Sequence, residues 1–381
     1  MNICSIDDDG RFGGPQKRNI EVAKALIPYD INTTILYPKH DTEKFSNELK
    51  NKNIKSESIT IHRISFYLSL LLNYFKNFFS DIYRIRRKIK DGNFDIVLIN
   101  GTPQYKSAIS GILAKLPVVW IFEDTQMPSI VKWLSKLLAY RFAASIIVTG
   151  RSVYDYYIAN TPLSKKYVEI IPAPVDTREF SKTNSANYVN SKKIKIVTVA
   201  GIIPVKGVEI FVEMADELSN NEYLEFLIAG GKMESQQHYA RLIKNLIDKN
   251  DKIRDRVKLL GMVDDVKSFL NESDIFVCTS HSEAGPITVW EAMSMSMPIV
   301  TTNVGSVSDY IINGESGFIV PVGDVTSLAA KVSYLVDNPG IWNSLGKKAR
   351  KIAEEKLDVD VASRKYNALY RRIVTAEYKQ Y

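Results

Sequence analysis

The sequence predicts an α/β fold made of two doubly wound, Rossmann-like domains that face each other across an interdomain cleft. Three observations lead to this prediction: the length of 381 residues, a repeated alternation of short Val- and Ile-rich runs with longer amphipathic stretches, and a polar stretch between the two halves. A chain of this length is more readily divided between two cores than built around one. The alternation is typical of parallel sheets covered by helices.

The first domain is predicted over residues 1–185. Its strand-like runs are residues 1–6, 33–37, 95–100, 117–121, 145–149 and 167–171. After Pro172 and Pro174, residues 181–190 are polar and lack apolar periodicity, so we expect the interdomain linker there. A C-terminal helix over about residues 362–381 is expected to pack back on this domain.

The second domain is predicted over residues 186–361. Its strand-like runs are residues 194–200, 223–229, 257–260, 274–279, 298–301 and 317–320. Ligands of doubly wound sheets bind beyond the carboxyl ends of the strands. Functional residues are therefore expected in the loops that follow the strands.

The composition, 45% hydrophobic and 24% charged, is typical of a soluble globular protein. The N-terminus has neither a basic flank nor a long apolar run, which argues against a signal peptide and favours the cytoplasm. Cys4 and Cys278 are the only cysteines and both lie in apolar runs, so neither a disulfide scaffold nor a cysteine metal cluster is expected.

The net charge of +7 is unevenly distributed. Residues 1–190 carry 26 Lys and Arg against 18 Asp and Glu, while the remainder carries 24 against 25. A basic half suits an anionic partner, whether a membrane surface, a phosphorylated lipid or a nucleic acid. In the alternative, the excess charge only keeps the protein soluble.

The strongest constellation of the sequence is the loop and helix over residues 280–293. Pro286 is predicted in the first turn of a helix, where its missing N–H costs no hydrogen bond, and the amides that follow suit a phosphate. Glu291, one turn further, is expected to be buried and to need donors such as ribose hydroxyls. Glu283 in the loop would accept hydroxyl hydrogens from a sugar beyond the diphosphate. In the alternative, Glu291 binds a neighbouring loop and Glu283 is solvated.

Glu283 and Glu291, followed by Ala292, Met293 and Pro298, resemble the signature of glycosyltransferase family four, the glycosyl transferases group one. The resemblance extends over the second domain through the acids and glycines listed here: Gly261, Asp264, Asp265, Thr302, Gly305, Asp309, Gly314 and Gly317. It implies the GT-B fold and retention of anomeric configuration. It also implies catalysis without a metal or cofactor, and the four histidines show no metal-ligand spacing.

The resemblance also assigns the site residues. Lys206 and Gly207 resemble the family's phosphate-binding lysine and glycine, although Gly201 stands where the family usually has an arginine. Lys206 and Glu283 are the expected catalytic residues, Lys206 by stabilising the leaving diphosphate. The expected donor-binding residues are Gly13, Gly14, Lys206, Glu283, Ala284, Gly285, Pro286, Ile287, Thr288 and Glu291.

The loop after the first strand holds Gly13 and Gly14, which resemble the family's glycine-rich loop and would let backbone amides approach a ligand. In the same loop Asp7 and Asp9 mimic a metal-binding acid pair, but a solvated loop is the favoured interpretation. Family members often carry histidines after two further strands of this domain. The matching positions here are Asn100 and Glu123, followed by Asp124, and these are the expected contacts to acceptor or sugar.

The segment 64–90 is aromatic and aliphatic, then basic, and resembles an interfacial helix. Its apolar residues at helical spacing are Leu71, Phe75, Phe78, Ile82 and Ile89, beside Lys76, Arg84, Arg86, Arg87 and Lys88. Its uncharged part is far shorter than the roughly 20 residues that span a bilayer. Two interpretations remain open: a helix packed on the first sheet with a basic outer face, or peripheral docking on a membrane near a lipid-linked acceptor.

Together these features predict a retaining hexosyltransferase of the cytoplasm or the inner face of the cytoplasmic membrane. Its donor would be a nucleoside diphosphate sugar, a UDP-sugar by preference and a GDP-sugar as second choice. Its acceptor would be a saccharide or lipid-linked saccharide of cell-surface polysaccharide or glycolipid synthesis, and no nucleic acid partner is expected. The alternatives are a nonhydrolysing sugar-nucleotide epimerase and an inactive, glycosyltransferase-like binding subunit.

Overall fold

The computed structural model of the protein describes residues 1–40, 42–64, 67–182, 193–233 and 236–375. Residues 183–190 of the predicted linker lie outside the described residues. So do residues 376–381 of the predicted C-terminal helix and residues 65 and 66 of the segment 64–90.

Strands and helices alternate along the described chain. The strands are β1 (Asn2–Ile6), β2 (Asn32–Pro38), β3 (Ser56–Ile59), β4 (Ile96–Asn100), β5 (Val118–Phe122), β6 (Ala143–Val148), β7 (Val168–Ile170), β8 (Ile194–Val199), β9 (Leu224–Ala229), β10 (Val257–Gly261), β11 (Ile275–Cys278), β12 (Ile299–Thr302) and β13 (Phe318–Val320). The α-helices are α1 (Gly14–Leu26), α2 (Glu43–Asn51), α3 (Leu68–Lys76), α4 (Phe78–Asp91), α5 (Tyr105–Leu113), α6 (Ser129–Phe142), α7 (Arg151–Tyr157), α8 (Val208–Glu217), α9 (Gln237–Asp248), α10 (Val266–Asn271), α11 (Ile287–Ser294), α12 (Val307–Tyr310), α13 (Val325–Asp337), α14 (Trp342–Ile352) and α15 (Val359–Thr375). Short 3₁₀ turns cover Ile27–Tyr29, Pro162–Lys165, Pro204–Lys206 and Pro339–Ile341, and a π-helical turn covers Ala353–Leu357.

The chain forms two compact units, Met1–Pro174 with Val359–Tyr381 and Val175–Asp358. In the first unit the strand order is β3-β2-β1-β4-β5-β6-β7, and in the second it is β10-β9-β8-β11-β12-β13. Adjacent strands pair in parallel in both sheets, for example Ile3 with Thr33 and Val300 with Phe318. The order changes direction at β1 and at β8, so the predicted class of two doubly wound α/β sheets is confirmed.

The core of the first unit includes residues from both ends of the chain. Ile3, Ile96 and Ile121 of the sheet pack with one face of α15. The inward residues of α15 recur at helical spacing and are nearly inaccessible, at Tyr366, Leu369, Tyr370 and Ile373. The helix is therefore held by its apolar stripe.

The second unit buries apolar residues on both faces of its sheet. Phe211 and Phe226 belong to the cluster on one face, and Phe276, Trp290 and Met293 belong to the cluster on the other. Because both faces are covered, the central strands β11 and β12 are buried along their whole length, which made them recognisable in the sequence.

The boundary between the units lies at Pro174/Val175, whereas the sequence placed it at 185/186. The chain passes back from the second unit to the first at Asp358/Val359, whereas the sequence placed the end of the second domain at residue 361. Val175 forms an isolated parallel bridge with Asp358, and Phe180 packs in the core of the second unit. These contacts draw the residues after Pro174 into the second unit, although they have no periodicity that the sequence could reveal.

The segment 64–90 forms two helices in its described part, α3 and α4, joined at Asn77. Helix α4 buries Ile82, Ile85 and Ile89 in the first unit, where it packs against α5. Helix α3 buries only Tyr74 and leaves its other apolar residues accessible. No helix of the described residues combines the length and the apolar character needed to span a bilayer.

Candidate functional site

The loops that follow β8 and β11 bring Lys206 and Glu283 together in the second unit. Lys206 Nζ donates a hydrogen bond to Glu283 Oε1 at 2.5 Å, and Ser280 Oγ donates to the same oxygen at 2.8 Å. The side chains of Lys206 and Glu283 are 29% and 15% exposed, respectively. The pair is therefore partly shielded from water yet remains within reach of a ligand.

Backbone contacts fix the Lys206 loop against the loop after β11. Gly207 follows Lys206 with φ of +59°, and a Cβ there would lie 2.2 Å from Thr279 O. His281 N donates to Val205 O at 2.9 Å. Thr279 Oγ1 donates to Lys206 O at 3.2 Å. Only glycine allows this approach, so Gly207 sets the position of the lysine.

The loop after β12 also contacts the Glu283 loop. Gly305 has φ of +55°, and a Cβ there would lie 2.4 Å from Ala284 O and 2.6 Å from Glu283 O. Ser306 donates to Ala284 O through both its N–H and its hydroxyl, each at 3.0 Å. Thr302 Oγ1 donates to Ser280 O at 2.7 Å. The Glu283 loop is thus held through its main-chain carbonyls, by the close approach of Gly305 and by hydrogen bonds from Ser306 and Thr302.

Helix α11 begins one residue later than the sequence predicted. Pro286 is its N-cap in an extended conformation, so the expectation that Pro286 lies within the first turn is corrected. The carbonyl of Pro286 accepts from Val289 N at 3.0 Å and starts the helix after the proline. Ala284 and Gly285 form the bend before it, and Ile287 and Thr288 are its first two residues.

Glu291 lies one turn into α11 and is 2% exposed. Trp290 and Ala292 on either side are fully buried. A carboxylate in such surroundings requires hydrogen-bond donors. The sequence assigned Glu291 to the donor site, and the structure places it in the helix whose first turn follows the Glu283 loop.

The first unit contains a buried polar cluster at the carboxyl ends of its central strands. Arg18 of α1, 2% exposed at its side chain, donates to Glu123 Oε2 at 2.5 Å and to Asn100 Oδ1 at 3.3 Å. Asn100 Nδ2 in turn donates to Ser5 Oγ at 2.8 Å. Two of the predicted acceptor-side residues, Asn100 and Glu123, are therefore joined by an arginine that the sequence interpretation did not single out.

Asp7 belongs to the same cluster, and its assignment to a solvated loop is corrected. Asp7 is 2% exposed, and both of its carboxylate oxygens accept from Asn19 Nδ2, at 2.8 and 3.0 Å. Burial raises the pKa of Asp7 well above its ordinary range. Asp9 is partly exposed and forms ion pairs with Arg11 at 2.5 Å and Arg63 at 2.7 Å.

Asp124 is held separately from Asn100 and Glu123. Its two carboxylate oxygens accept from Thr102 Oγ1 at 2.5 Å and from Tyr157 Oη at 2.7 Å. Burial raises the pKa of the Asp124 carboxyl. Both oxygens thus have protein donors.

Gly13 and Gly14 lie at the start of α1, the helix that carries Arg18 and Asn19. Gly13 is the N-cap in an extended conformation, and a Cβ there would make only ordinary contacts. Arg18 and Asn19 continue the buried stripe of α1 that Val22 also occupies. Polar residues on a buried stripe were the signal that could have revealed this cluster from the sequence.

Comparison with protein families finds two matches that together cover most of the chain. Residues 12–179 match the model described as Glycosyltransferase Family 4. Residues 180–352 match the model described as Glycosyl transferases group 1. The second match contains Lys206, Glu283 and Glu291.

Two curated relatives are bacterial proteins. The capsular polysaccharide biosynthesis glycosyltransferase CapM of Staphylococcus aureus is 28% identical over 45% of this chain and 44% of its own length. The N-acetyl-alpha-D-glucosaminyl L-malate synthase of Bacillus anthracis is 27% identical over 62% of each chain. The chain thus spans less than two thirds of the length of either relative.

Among solved structures, HepE of Anabaena in complex with UDP has the same fold. The TM-score is 0.81 at 20% identity, over 97% of this chain and 100% of that chain. At this identity the likeness bears on the fold alone. It agrees with the two parallel, doubly wound sheets described above.

Proposed function

The chain belongs to the glycosyltransferases of family four, and from that premise we propose that it transfers a hexose from a nucleoside diphosphate sugar to a saccharide acceptor with retention of configuration. The observation that carries the proposal is the contact between Lys206 and Glu283. It joins a cation suited to a diphosphate and a carboxylate suited to sugar hydroxyls. Both belong to loops at the carboxyl ends of parallel strands, where such folds bind nucleotides.

In this proposal Lys206 and the first amides of α11 bind the diphosphate. The segment from Ala284 to Thr288 approaches it through main-chain groups. Glu283 accepts hydrogen bonds from hydroxyls of the donor sugar, and Glu291 accepts them from the ribose. Gly13 and Gly14 give a ligand close access to the start of α1.

The reaction exchanges one bond at the anomeric carbon for another on the same face of the sugar. The bond from that carbon to the diphosphate oxygen breaks, and the acceptor oxygen forms the new bond. The acceptor proton passes to the departing phosphate oxygen, and the nucleoside diphosphate leaves. Lys206 and the α11 amides stabilise the charge that develops on that oxygen, so the proposal assigns no step to a metal or cofactor.

A uridine nucleotide is the donor that we favour, with a guanosine nucleotide as second choice. The support is that HepE, which shares the fold, was solved with UDP. A saccharide or lipid-linked saccharide of capsule or glycolipid synthesis is the proposed acceptor, because CapM is named for capsular polysaccharide biosynthesis. Asn100, Glu123 and Asp124 are the proposed contacts to acceptor or sugar.

Action at the inner face of the cytoplasmic membrane, through the segment 64–90, is part of the proposal. The cations of α4 contribute less to it than their number suggests, because four of the five are engaged within the first unit. Arg84 pairs with Asp81, Arg87 with Asp91 and Lys88 with Glu57, while Arg86 donates to a main-chain carbonyl.

Thermal unfolding with UDP, GDP or ADP tests the proposal. A ligand that binds only the folded chain stabilises it by about 2.7 kcal/mol at a hundred times its Kd. We expect UDP to raise the Tm in proportion to the logarithm of its concentration, and Glu291→Gln to weaken this response. The absence of a shift with all three nucleotides contradicts the proposal.

Product analysis with a UDP-sugar separates the alternatives. Transfer to a saccharide with retained configuration supports the proposal. Conversion of the donor without acceptor identifies an epimerase. A Tm shift without any turnover identifies an inactive binding subunit.

A further inference from the structure

Helix α6 carries its large apolar residues on the side that faces water. Ile130, Trp133, Leu137 and Tyr140 follow one another at helical spacing and are 74%, 61%, 47% and 45% exposed. We call these four residues the α6 stripe. A soluble protein usually places such a stripe against its core.

The opposite side of α6 is already packed. It buries Val131, Ser135 and Ala139, which are spaced four residues apart and smaller than the residues of the stripe. Ser135 Oγ donates to Val131 O at 2.8 Å and lies 3.0 Å from Tyr105 Oη. The helix is therefore anchored by its small face, and rotation toward the core is opposed by these contacts.

Helix α3 extends the apolar surface of the same unit. Leu68, Leu72 and Phe75 are between 61% and 70% exposed. Tyr74 of α3 lies under Lys106 of α5, with Nζ 3.9 Å from the ring centroid. Since Tyr105 of α5 bonds to α6, the buried faces of α3 and α6 both adjoin the first turn of α5, and their exposed apolar residues belong to the same unit.

The charged residues of α6 and α3 are all basic. Helix α6 contains Lys132, Lys136 and Arg141 and no acidic residue, and α3 contains Lys76 and no acidic residue. Lys132 of α6 packs over the ring of Tyr156, with Nζ 3.4 Å from the ring centroid. An apolar stripe with Trp and Tyr, bordered by cations, is the pattern of a helix that lies in a lipid interface.

We propose that α6 is a second membrane-binding surface of this protein, in addition to the segment 64–90, and that its partner is a bilayer containing anionic lipids. The α6 stripe enters the interface between headgroups and acyl chains. Lys132, Lys136 and Arg141 bind the lipid phosphates. This surface is separate from the α4 cations and does not depend on the proposed sugar transfer.

Trp133 gives the proposal a direct readout. The other tryptophans, Trp120, Trp290 and Trp342, are at most 2% exposed. Trp133 is therefore the tryptophan whose fluorescence emission responds to a change in solvent contact. We expect the emission to move to shorter wavelength with vesicles of phosphatidylcholine and phosphatidylglycerol, and brominated phosphatidylcholine in those vesicles to quench it.

Variants separate the apolar and the charged contributions to vesicle binding. Ile130→Ser with Leu137→Ser should weaken sedimentation with the anionic vesicles by about tenfold or more, because two large apolar side chains leave the interface. Lys132→Gln with Lys136→Gln should weaken it by about thirtyfold. Trp133→Phe should still sediment but lose the emission change.

The control variant replaces two exposed apolar residues by Ser on a different helix. Leu242 and Leu246 of α9 are 40% and 38% exposed, and Leu242→Ser with Leu246→Ser should leave vesicle binding unchanged. All vesicle measurements are made without donor or acceptor, so failure here is distinguishable from failure of the proposed transfer.

Two results overturn the proposal. The first is unchanged Trp133 emission and no sedimentation with anionic vesicles. The second is protection of Trp133 from acrylamide as protein concentration rises in the absence of lipid, together with a dimer in sedimentation velocity. The second result assigns the α6 stripe to contact between two copies of the chain.

Discussion

Lys206 Nζ and Glu283 Oε1 lie 2.5 Å apart although 77 positions separate the two residues in sequence. Gly207 and Gly305 position the two loops by close main-chain approach. The contact places a cation where the proposed diphosphate must leave. The proposed role of Lys206 is electrostatic, so removing its charge should lower turnover more than it lowers the stability of the fold.

Replacing Lys206 by Ala should lower kcat for sugar transfer by about a hundredfold, because one preorganised partner of the leaving group is lost. Initial rates with a UDP-sugar and a saccharide acceptor measure the effect. Lys258→Ala is the matched control, since Lys258 forms an exposed ion pair with Glu225 in the same unit. Equal kcat in the wild type and Lys206→Ala would remove the lysine from the mechanism.

Replacing Gly305 by Ala should destabilise the second unit more than Gly314→Ala does. Both glycines have positive φ, but a Cβ at Gly314 meets nothing within 4 Å, whereas one at Gly305 collides with the Glu283 loop. The positive φ alone costs an alanine about 1–2 kcal/mol. Urea unfolding should show a further loss in Gly305→Ala, accompanied by weaker UDP binding. Similar losses in the two variants would contradict the tight approach.

Replacing Arg18 by Met should lower the free energy of unfolding by about 1–3 kcal/mol, because the partly buried Glu123 carboxylate loses its charged donor. Adding Glu123→Gln should recover part of this loss. Arg254→Met breaks an exposed pair with Asp251 and should cost less than about 1 kcal/mol. Urea unfolding of the three variants measures these differences. A loss no larger than that of Arg254→Met would mean that the cluster does not hold the first unit together.

Asp8 should make the protein less stable as pH rises toward neutrality. Burial, with repulsion from Asp9, raises the pKa of Asp8 from its ordinary 3.8 to about 7, while Arg63 and Lys106 oppose the shift. The folded chain therefore retains a proton that the unfolded chain releases above about pH 4, so stability falls between about pH 4 and about pH 7 and then levels. Tm measured across this range should fall less in Asp8→Asn.

The control for the pH effect is Asp251→Asn, a substitution at a side chain that is 86% exposed. Its Tm profile should follow that of the wild type. A profile for Asp8→Asn that also follows the wild type would contradict the raised pKa.

The fold was predictable because the central strands of both sheets are buried on two faces, so that β4 and β11 appear in the sequence as almost continuous apolar runs. The Glu283 to Glu291 signature was equally visible, since a loop that enters a helix keeps its residues close in sequence. The boundary at Pro174/Val175 was not predictable, because isolated contacts rather than a periodic segment define it.

The pairing of Arg18 with Glu123 and the exposure of the α6 stripe could not be predicted from the sequence. Arg18 and Glu123 are 105 positions apart, and no spacing rule connects an arginine in a helix with a loop so distant. In α6 the sequence contains both a small face and a large apolar face. Periodicity reveals two such faces but does not decide which one meets the sheet.

The location of α15 affects synthesis of the protein on the ribosome. The N-terminal sheet emerges first, yet Tyr366 and Tyr370, which complete its core, are translated after the whole of Val175–Asp358. The first unit to emerge is thus the last to be completed. The apolar face of its sheet that contacts α15 stays exposed while the second unit is synthesised. A stop codon before α15 leaves the second unit intact and the N-terminal sheet uncovered, with the aggregation risk that exposed apolar surface brings to a nascent chain.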